Sequence, residues 1–305
     1  MKILITGVAG FIGSNLAHSL LEKNFSVVGI DNLSYGVKDQ IPKGVKFHKI
    51  DIRDKNITPL FDKVDYVFHL AAKNCITDCQ DNPLETFDIN VNGTINVFDA
   101  AVENNVKKVI YAESSAVYEG SKKLPSKESD VAPESMYAIS KITTNLIAKD
   151  YFKTNGLITT GLRYFNVYGP RQDYRRTIPP VFSAFIINLL NNKRPTIFGD
   201  GSKKRDFIYV DDVNRFHLMC IENDDTNNDI FNIGSGKSYS IKSIYKNIAN
   251  ILDSDIKPIF GKNFDFEAQE NLANIDKAQK IGWYPKVSLS NGLEMSIDYI
   301  KEHVI

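Results

Sequence analysis

Tyr137 and Lys141 stand four residues apart in MYAISK, and the chain opens on KILITGVAGFIG. Positions i and i+4 share one face of a helix, so this spacing sets an ammonium beside a phenol hydroxyl. A nearby cation favours the phenolate and draws the phenol down from its ordinary pKa of about 10. A phenol tuned in this way can take a proton from a sugar hydroxyl near neutral pH. The hydride that leaves with that proton needs an acceptor, and the opening glycine run is a place to hold a dinucleotide.

Gly7, Gly10 and Gly13 lie between an apolar β-branched run and a helical pattern. The first permits a tight turn, the middle one lets backbone approach a pyrophosphate, and the last allows close helix–strand packing. The helix N-terminus then offers N–H groups and the positive end of its dipole to phosphates. A glycine triplet alone is weak evidence; the strand before it and the helix after it supply the context. Asp31 ends the second strand, eighteen residues after Gly13. A carboxylate there accepts hydrogen bonds from ribose hydroxyls and repels a 2′-phosphate, which favours NAD over NADP. The plain alternatives are an ordinary glycine turn and a turn-closing strand-end Asp.

The elements that must position these groups are legible in outline. Lys2–Thr6, Ser26–Ile30, Val45–Ile50, Tyr66–Leu70, Lys108–Ala112 and Leu157–Arg163 read as buried strands. Helical patterns at Phe11–Lys23, Pro83–Glu103 and Ser135–Lys153 alternate with several of them. Such alternation predicts an α/β fold with a Rossmann-like, doubly wound parallel sheet and right-handed crossovers. The second half differs. It predicts a helix at Ile178–Asn192, a turn-rich FGDGSKKRDF, a short helix starting at Asp211 or Asp212, a strand entering the FNIGSG loop, and helices at Ile241–Leu252 and Ser290–Glu302. This reads as a smaller substrate-binding lobe. The expected division is 1–165, with a returning segment near 203–235, for the dinucleotide domain, and 166–202 with 236–305 for the lobe.

Composition narrows the partners. Of 305 residues, 43% are apolar and 24% charged, usual for a globular protein. Lys plus Arg equals Asp plus Glu at 37 each, so nothing points to nucleic acid or an anionic membrane surface. No apolar run reaches the roughly 18 residues of a bilayer span. The apolar start is broken by glycines, which argues against a signal peptide and for a cytoplasmic protein. Three cysteines, Cys75, Cys79 and Cys220, support neither a disulfide framework nor a metal site.

The ordered set TGVAGFIG, DNLS at Asp31–Ser34, DIRD at Asp51–Asp54, HLAA at His69–Ala72, INVNGT at Ile89–Thr94, ESSAVY at Glu113–Tyr118, MYAISK, LRYFNVYGPRQ at Leu162–Gln172, GDGSKKRDFIYVDD at Gly199–Asp212 and FNIGSG spans nearly the whole chain. In that order it resembles the extended short-chain dehydrogenase/reductase family, specifically its nucleotide-sugar epimerases and dehydratases. The resemblance implies a bound NAD contacted by Gly7, Gly10, Phe11, Ile12, Gly13, Asp31, Asn32, Leu70, Ala71 and Ala72. It implies Asp51 and Ile52 beside the adenine, Lys73 and Asn90 at the nicotinamide half, and Tyr164 and Phe165 beside the nicotinamide. Ser114, Tyr137 and Lys141 would be the catalytic triad. Ser114, Ser115, Asn166 and Arg205 would meet the substrate, with Asn166 and Arg205 on its diphosphate. A guanidinium fork suits phosphate oxygens, although Arg205 could equally pair with Asp206 or Asp211.

Dehydratases of this family carry an Asp-Glu pair just after the catalytic hydroxyl. Here those positions are Ser115 and Ala116, and neither can protonate a leaving hydroxide. That favours plain 4-epimerisation of a UDP-sugar. The resemblance further places Asn271 at the position that limits room around the sugar C2 substituent. Asn271 is small and can bond an amide, which favours UDP-N-acetylglucosamine/UDP-N-acetylgalactosamine, alongside UDP-glucose/UDP-galactose; the alternative is a cap on the following helix. Many relatives have a diphosphate-binding Arg where this chain has Phe264, leaving Lys262 or Arg171 as substitutes. A UDP-glucuronate 4-epimerase, an NDP-4-keto-sugar reductase and a non-catalytic dinucleotide-binding regulator stay open as alternatives. Glu113 reads as a solvated charge, and His69 as a packed histidine. Phe98, Val102, Ile142, Leu146 and Phe152 put apolar residues on more than one helix face. The resemblance implies a homodimer through a four-helix bundle.

Overall fold

Short Ile-, Val- and Leu-rich runs form the strands of a sheet, and longer amphipathic stretches cross between them. The structure is a computed structural model and describes residues 1–175, 179–263 and 268–305. In chain order come β1 (Lys2–Thr6), α1 (Phe11–Glu22), β2 (Ser26–Asp31), β3 (Lys46–Lys49) and β4 (Tyr66–His69). Helices α2 (Ile76–Asp81), α3 (Pro83–Phe87) and α4 (Gly93–Glu103) follow, with a π-helical turn at Asp88–Asn92 joining the last two. Next are β5 (Lys108–Ser114), a tight 3-10 turn at Ser115–Tyr118, α5 (Met136–Asn155), β6 (Thr159–Tyr164) and β7 (Asn166–Tyr168). The chain continues through α6 (Val181–Leu190), β8 (Thr196–Phe198), β9 (Lys204–Tyr209), α7 (Val210–Glu222) and β10 (Asp229–Ile233). It ends with β11 (Ser238–Ser240), α8 (Ile241–Ile251), β12 (Ile259–Gly261), α9 (Asp276–Lys280) and α10 (Leu289–His303).

A seven-stranded sheet has the order β10-β6-β5-β4-β1-β2-β3, and the pairings from β6 to β3 are parallel. The order reverses at β1, between β4 and β2. In open α/β sheets ligands bind at the carboxyl ends of strands beside such a reversal. The core under the sheet is apolar and closed, with Leu4, Ile30, Ile57, Phe61, Val67, Phe98 and Val109 all buried. The fold is thus the Rossmann-like α/β architecture that the alternation predicts.

The chain divides into two compact units: Met1–Lys122, Glu128–Tyr164 and Asn214–Asn232 in the first, and Lys123–Lys127, Phe165–Val213 and Ile233–Ile305 in the second. The returning segment is therefore shorter than the expected 203–235. Residues 204–209 belong to a separate three-stranded sheet, β11-β9-β7, and are hydrogen-bonded there. The second unit also has a β12-β8 pair. Tyr168 stacks on Phe182 with ring centroids 4.3 Å apart, and Phe207 and Tyr209 meet its edges. The helix expected at Asp211 or Asp212 begins one residue earlier and runs thirteen residues, with both acids in its first turn. Of the helix expected over Ile178–Asn192, Val181–Leu190 is helical, and Ile178 lies outside the described residues. Among the described residues no helix is long and apolar enough to cross a membrane, and no acid, His or Cys cluster could hold a metal.

Candidate active site

The glycine run turns sharply out of β1. Gly7 has φ +74°, and a Cβ there would stand 2.7 Å from the Ala71 nitrogen. A Cβ on Gly13 would lie 2.2 Å from the Gly7 oxygen, so only glycine lets α1 pack so near the turn. Beyond that contact, a Cβ on Gly10 would meet nothing but the same oxygen, at 3.2 Å. Gly10 is the N-cap of α1, with no side-chain cap and no acid in the first turn. The N–H groups of Phe11, Ile12 and Gly13 thus have no competing carboxylate on their own helix. Asp31, at the end of β2, accepts from the Ala9 and Leu33 N–H groups at 3.0 and 2.8 Å. Burial raises its carboxyl pKa, and those two backbone bonds oppose the rise. Asn32 donates to Asp51 at 2.7 Å, while Arg53 binds both Asp51 oxygens at 2.9 Å. The Arg53 bonds hold the Asp51 carboxyl down at about 2. The Ile52 side chain packs into the core, where a Cβ on Gly93 would meet it at 2.6 Å.

Behind the loop following β4 runs a chain of buried polar bonds. His69 Nδ1 meets the Thr6 hydroxyl at 2.7 Å, and its Nε2 meets Thr94 Oγ1 at 2.9 Å. Thr94 gives its own proton to the Asn90 carbonyl at 2.6 Å, so its oxygen accepts from Nε2–H. His69 is a packed neutral imidazole, pushed down to about 3 by burial first and then by Lys141. The Leu70 and Ala71 N–H groups reach the Thr6 carbonyl and hydroxyl oxygens, at 3.1 and 3.2 Å. Past Ala72, the Asn90 amide accepts from Lys73 N–H at 2.8 Å and donates to the Lys73 carbonyl and to Ser140 Oγ, both at 3.0 Å. Asn90 is therefore a strut from this loop to α5. Lys73 is buried and ion-paired with Glu85.

The carboxyl end of β5 and the start of α5 bring the three candidate catalytic residues into one unit. Ser135 caps α5 by accepting from Ala138 N–H at 3.1 Å, and Glu119 accepts from Ser135 N–H at 3.0 Å. This fixes the first turn, in which Tyr137 is 9% exposed. Lys141, one turn on, is buried and donates to the Ala112 carbonyl at 2.9 Å, with its Nζ 5.9 Å from the centre of the Tyr137 ring. Burial pushes the ammonium down to about 8, and the Glu113 carboxylate opposes that fall. Ser114 Oγ accepts from Ala116 N–H at 3.2 Å, capping the turn that Ser115 opens. The Ser114 hydroxyl keeps its proton to donate.

One expectation fails here. Glu113 is not solvated: its side chain is buried against Arg163, with Nε 2.6 Å from Oε2. The β5–β6 register sets these residues opposite each other. A charge inside an apolar strand is the sequence signal for such a partner. Tyr164 is buried in the first unit, its hydroxyl 2.6 Å from His217 Nε2 on α7. Sequence reasoning assigned no role to His217, Arg163 or Glu119.

In the second unit Phe165 is buried, and its N–H donates to the Ile233 carbonyl at 3.0 Å. Asn166 donates to the Asp206 carbonyl at 2.9 Å and to Asn271 Oδ1 at 3.2 Å. The same Asn271 oxygen accepts from Asp206 N–H at 2.8 Å. Asn271 therefore does not cap α9, whose N-cap is Ile275; its Nδ2 side remains for other use. Arg205 is half-buried and donates to the Lys204 and Ala268 carbonyls, both at 2.9 Å. Arg171 lies over the Tyr299 ring at 5.7 Å, and Lys262 is exposed. Phe264 lies outside the described residues.

Comparison with known proteins gives this arrangement its context. The sequence profile of the NAD dependent epimerase/dehydratase family matches residues 3–234. The chain belongs to that family. It sits on the family's nucleotide-sugar epimerase branch and is an NAD-dependent isomerase. A putative UDP-glucose 4-epimerase from Methanocaldococcus jannaschii is 36% identical, over 99% of both chains. The UDP-glucose 4-epimerase of Thermotoga maritima, solved with UDP-glucose, superposes with a TM-score of 0.96 at 32% identity and full coverage of both chains. A UDP-N-acetylglucosamine 4-epimerase from Methanobrevibacter ruminantium M1, solved with UDP-N-acetylmuramic acid, gives 0.95 at 33% identity over 99% of each.

The residues fit the cofactor the family name implies. The Gly10 side of the turn is a cradle that side chains leave empty, at an uncapped helix N-terminus suited to a pyrophosphate. Asp31 stands one strand away with a carboxylate that a 2′-phosphate would have to displace.

Proposed function

We propose that this epimerase interconverts UDP-sugars at C4, with UDP-N-acetylglucosamine/UDP-N-acetylgalactosamine as the preferred pair and UDP-glucose/UDP-galactose alongside. The observation that carries the reading is the buried Lys141 ammonium, fixed on the Ala112 carbonyl beside the Tyr137 ring. Tyr137 as phenolate takes the proton of the sugar 4-hydroxyl, and Lys141 keeps the phenolate favourable in a site with little water. Ser114, its oxygen already committed to Ala116 N–H, donates its hydroxyl proton to the sugar oxygen and shares the charge that develops there. Bound NAD supplies a hydride acceptor that returns the hydride, so the cycle has no net redox. Asn166 and Arg205 hold the diphosphate while the 4-keto sugar turns over, and Tyr137 then returns its proton. Neither Ser115 nor Ala116 offers the acid that elimination of water would need.

The N-acetyl preference rests on Asn271. Its Oδ1 is committed to Asp206 N–H and Asn166, which leaves the Nδ2 protons for an acetamido carbonyl. We also propose a homodimer through α4 and α5. Leu146 and Phe152 on α5 are 60% and 46% exposed, and Leu84 on α3 is 87% exposed, more apolar area than a lone helix face usually leaves in water. Leu146→Glu shifts the protein from dimer to monomer in sedimentation; a wild-type protein that sediments as a monomer rules this out.

The purified protein, given each UDP-sugar without added NAD and followed by NMR, is expected to interconvert C4 epimers, fastest for the N-acetyl pair. Loss of the C6 hydroxyl would mean a dehydratase. Turnover of UDP-glucuronate alone would move the preference to a uronate.

A further inference from the structure

The Glu113–Arg163 pair has no part in the chemistry above, yet it adjoins Ser114 and the strand whose Ala112 carbonyl holds Lys141. Glu113 stands between Ala112, whose carbonyl holds Lys141, and Ser114. Arg163 stands opposite, next to Tyr164. Both side chains are buried, Glu113 at 0% and Arg163 at 2% side-chain exposure. Arg163 also donates to the Tyr118 hydroxyl at 2.9 Å and the Glu128 carbonyl at 2.7 Å, and Tyr118 donates to Asn232 at 2.6 Å. One guanidinium thereby ties together β5, β6, the turn that starts at Ser115, and the segment after it. Glu113 Oε2 is bonded to Arg163, while Oε1 is buried with no hydrogen-bond partner among the described residues. A buried ion pair costs desolvation that two apolar residues would avoid, so simple cohesion is a weak reason for this one.

We infer that the Glu113–Arg163 pair is a positioning unit that fixes the end of β5 and keeps a negative charge beside the Lys141 ammonium. The inference rests on the reading of Lys141 as the cation that favours the Tyr137 phenolate. The geometry supports the charge. Tyr111, two residues earlier on the same face of β5, bonds Asn145 of α5 at 3.1 Å, so this face of the strand looks onto the helix that carries Lys141. The charged and titratable groups around Glu113 are Arg163, Lys141, Lys149, Tyr111 and Tyr118. Those around Lys141 are Glu113, Cys79 of α2 and the neutral His69. Among these Glu113 is the one carboxylate, and it favours the ammonium against its burial.

The test follows Lys141 itself. Protein labelled with 13C at lysine Cε is titrated by NMR in the presence of NAD, with the Lys141 signal assigned by its loss in Lys141→Arg. The expected wild-type midpoint lies well below the ordinary lysine value of about 10.4. Glu113→Gln is expected to lower it by about one pH unit, the size of effect a close opposite charge exerts, and Glu113→Asp to restore most of it. The alkaline limb of the rate profile moves to lower pH with it. A folded Glu113→Gln protein that titrates as wild type overturns the inference. Should that variant fail to fold, Glu113→Gln combined with Arg163→Met removes both buried charges. Loss of the Arg163 cation offsets part of the loss of the Glu113 anion, so the displacement expected there is downward but smaller, and a midpoint at or above that of the wild type is fatal. Interconversion of UDP-sugars by the unmodified protein is read separately. Its absence would remove the reaction while the Lys141 titration still decides the role of the pair.

Discussion

In the first unit, Ser114, Tyr137 and Lys141 sit where a seven-stranded sheet ends and a twenty-residue helix begins. Ser114 and Lys141 have backbone partners fixed by that framework, and the Tyr137 ring is buried. In the second unit, Asn166, Arg205 and Asn271 lie on or beside strands of three and six residues. There the partners are mostly carbonyls and a single side-chain amide. The contrast separates two demands. Proton transfer needs groups that cannot drift, and a helix capped by Ser135 and braced by Glu119 provides them. Under the proposed reading, sugar preference depends on one amide, Asn271, which also accepts from Asp206 N–H of β9.

The sharpest way to break the contrast is Tyr137→Phe, which removes the proton carrier and leaves the ring. Interconversion should fall by roughly 10²- to 10⁴-fold, with thermal unfolding unchanged; near-normal rates would take Tyr137 out of the mechanism. Asp206→Ala asks whether the second unit also has a rigid strut. The buried Asp206 carboxylate accepts from Ser235 N–H and hydroxyl at 2.7 Å, Gly236 N–H at 3.0 Å and Ala273 N–H at 3.1 Å. Removing it strands buried donors and should cost about 3 kcal/mol or more, read as a lower urea midpoint. Asn271→Tyr sharpens the specificity side. It should depress kcat/KM for the N-acetyl pair by roughly 10- to 200-fold while sparing UDP-glucose/UDP-galactose. Equal losses for both pairs would mean that Asn271 only braces Asn166.

The last test is of pH, through the buried histidines. Burial holds His69 and His217 down at about 3, against an ordinary value of 6.5. Between those values the unfolded chain binds more protons than the folded one. Stability is therefore full above about 6.5 and falls as pH drops toward 3, by at most about 1.4 kcal/mol per pH unit for each histidine. Urea midpoints at a series of pH values measure this slope. His217→Gln, which keeps a partner for the Tyr164 hydroxyl, should flatten it.

Local spacing was enough to find what one strand, one turn or one helical turn can specify. The Gly7–Gly13 run, the acid at Asp31 and the i, i+4 pair of Tyr137 and Lys141 are of this kind, since period and chain direction alone bring such groups together. Helix starts were legible too, at Ser135 and Ser240, because a cap is a local event. Partners chosen across the sheet were not. Glu113 and Arg163 meet over a separation of 50 residues, Tyr164 and His217 over 53, and Asn166 and Asn271 over 105. The inward bonds of Asn90 and the core packing of Ile52 were likewise not legible in the motifs that contain them. Sequence set the residue types and their local faces; strand register and core packing decided which buried polar group met which, because an unpaired one costs more than any local preference can repay.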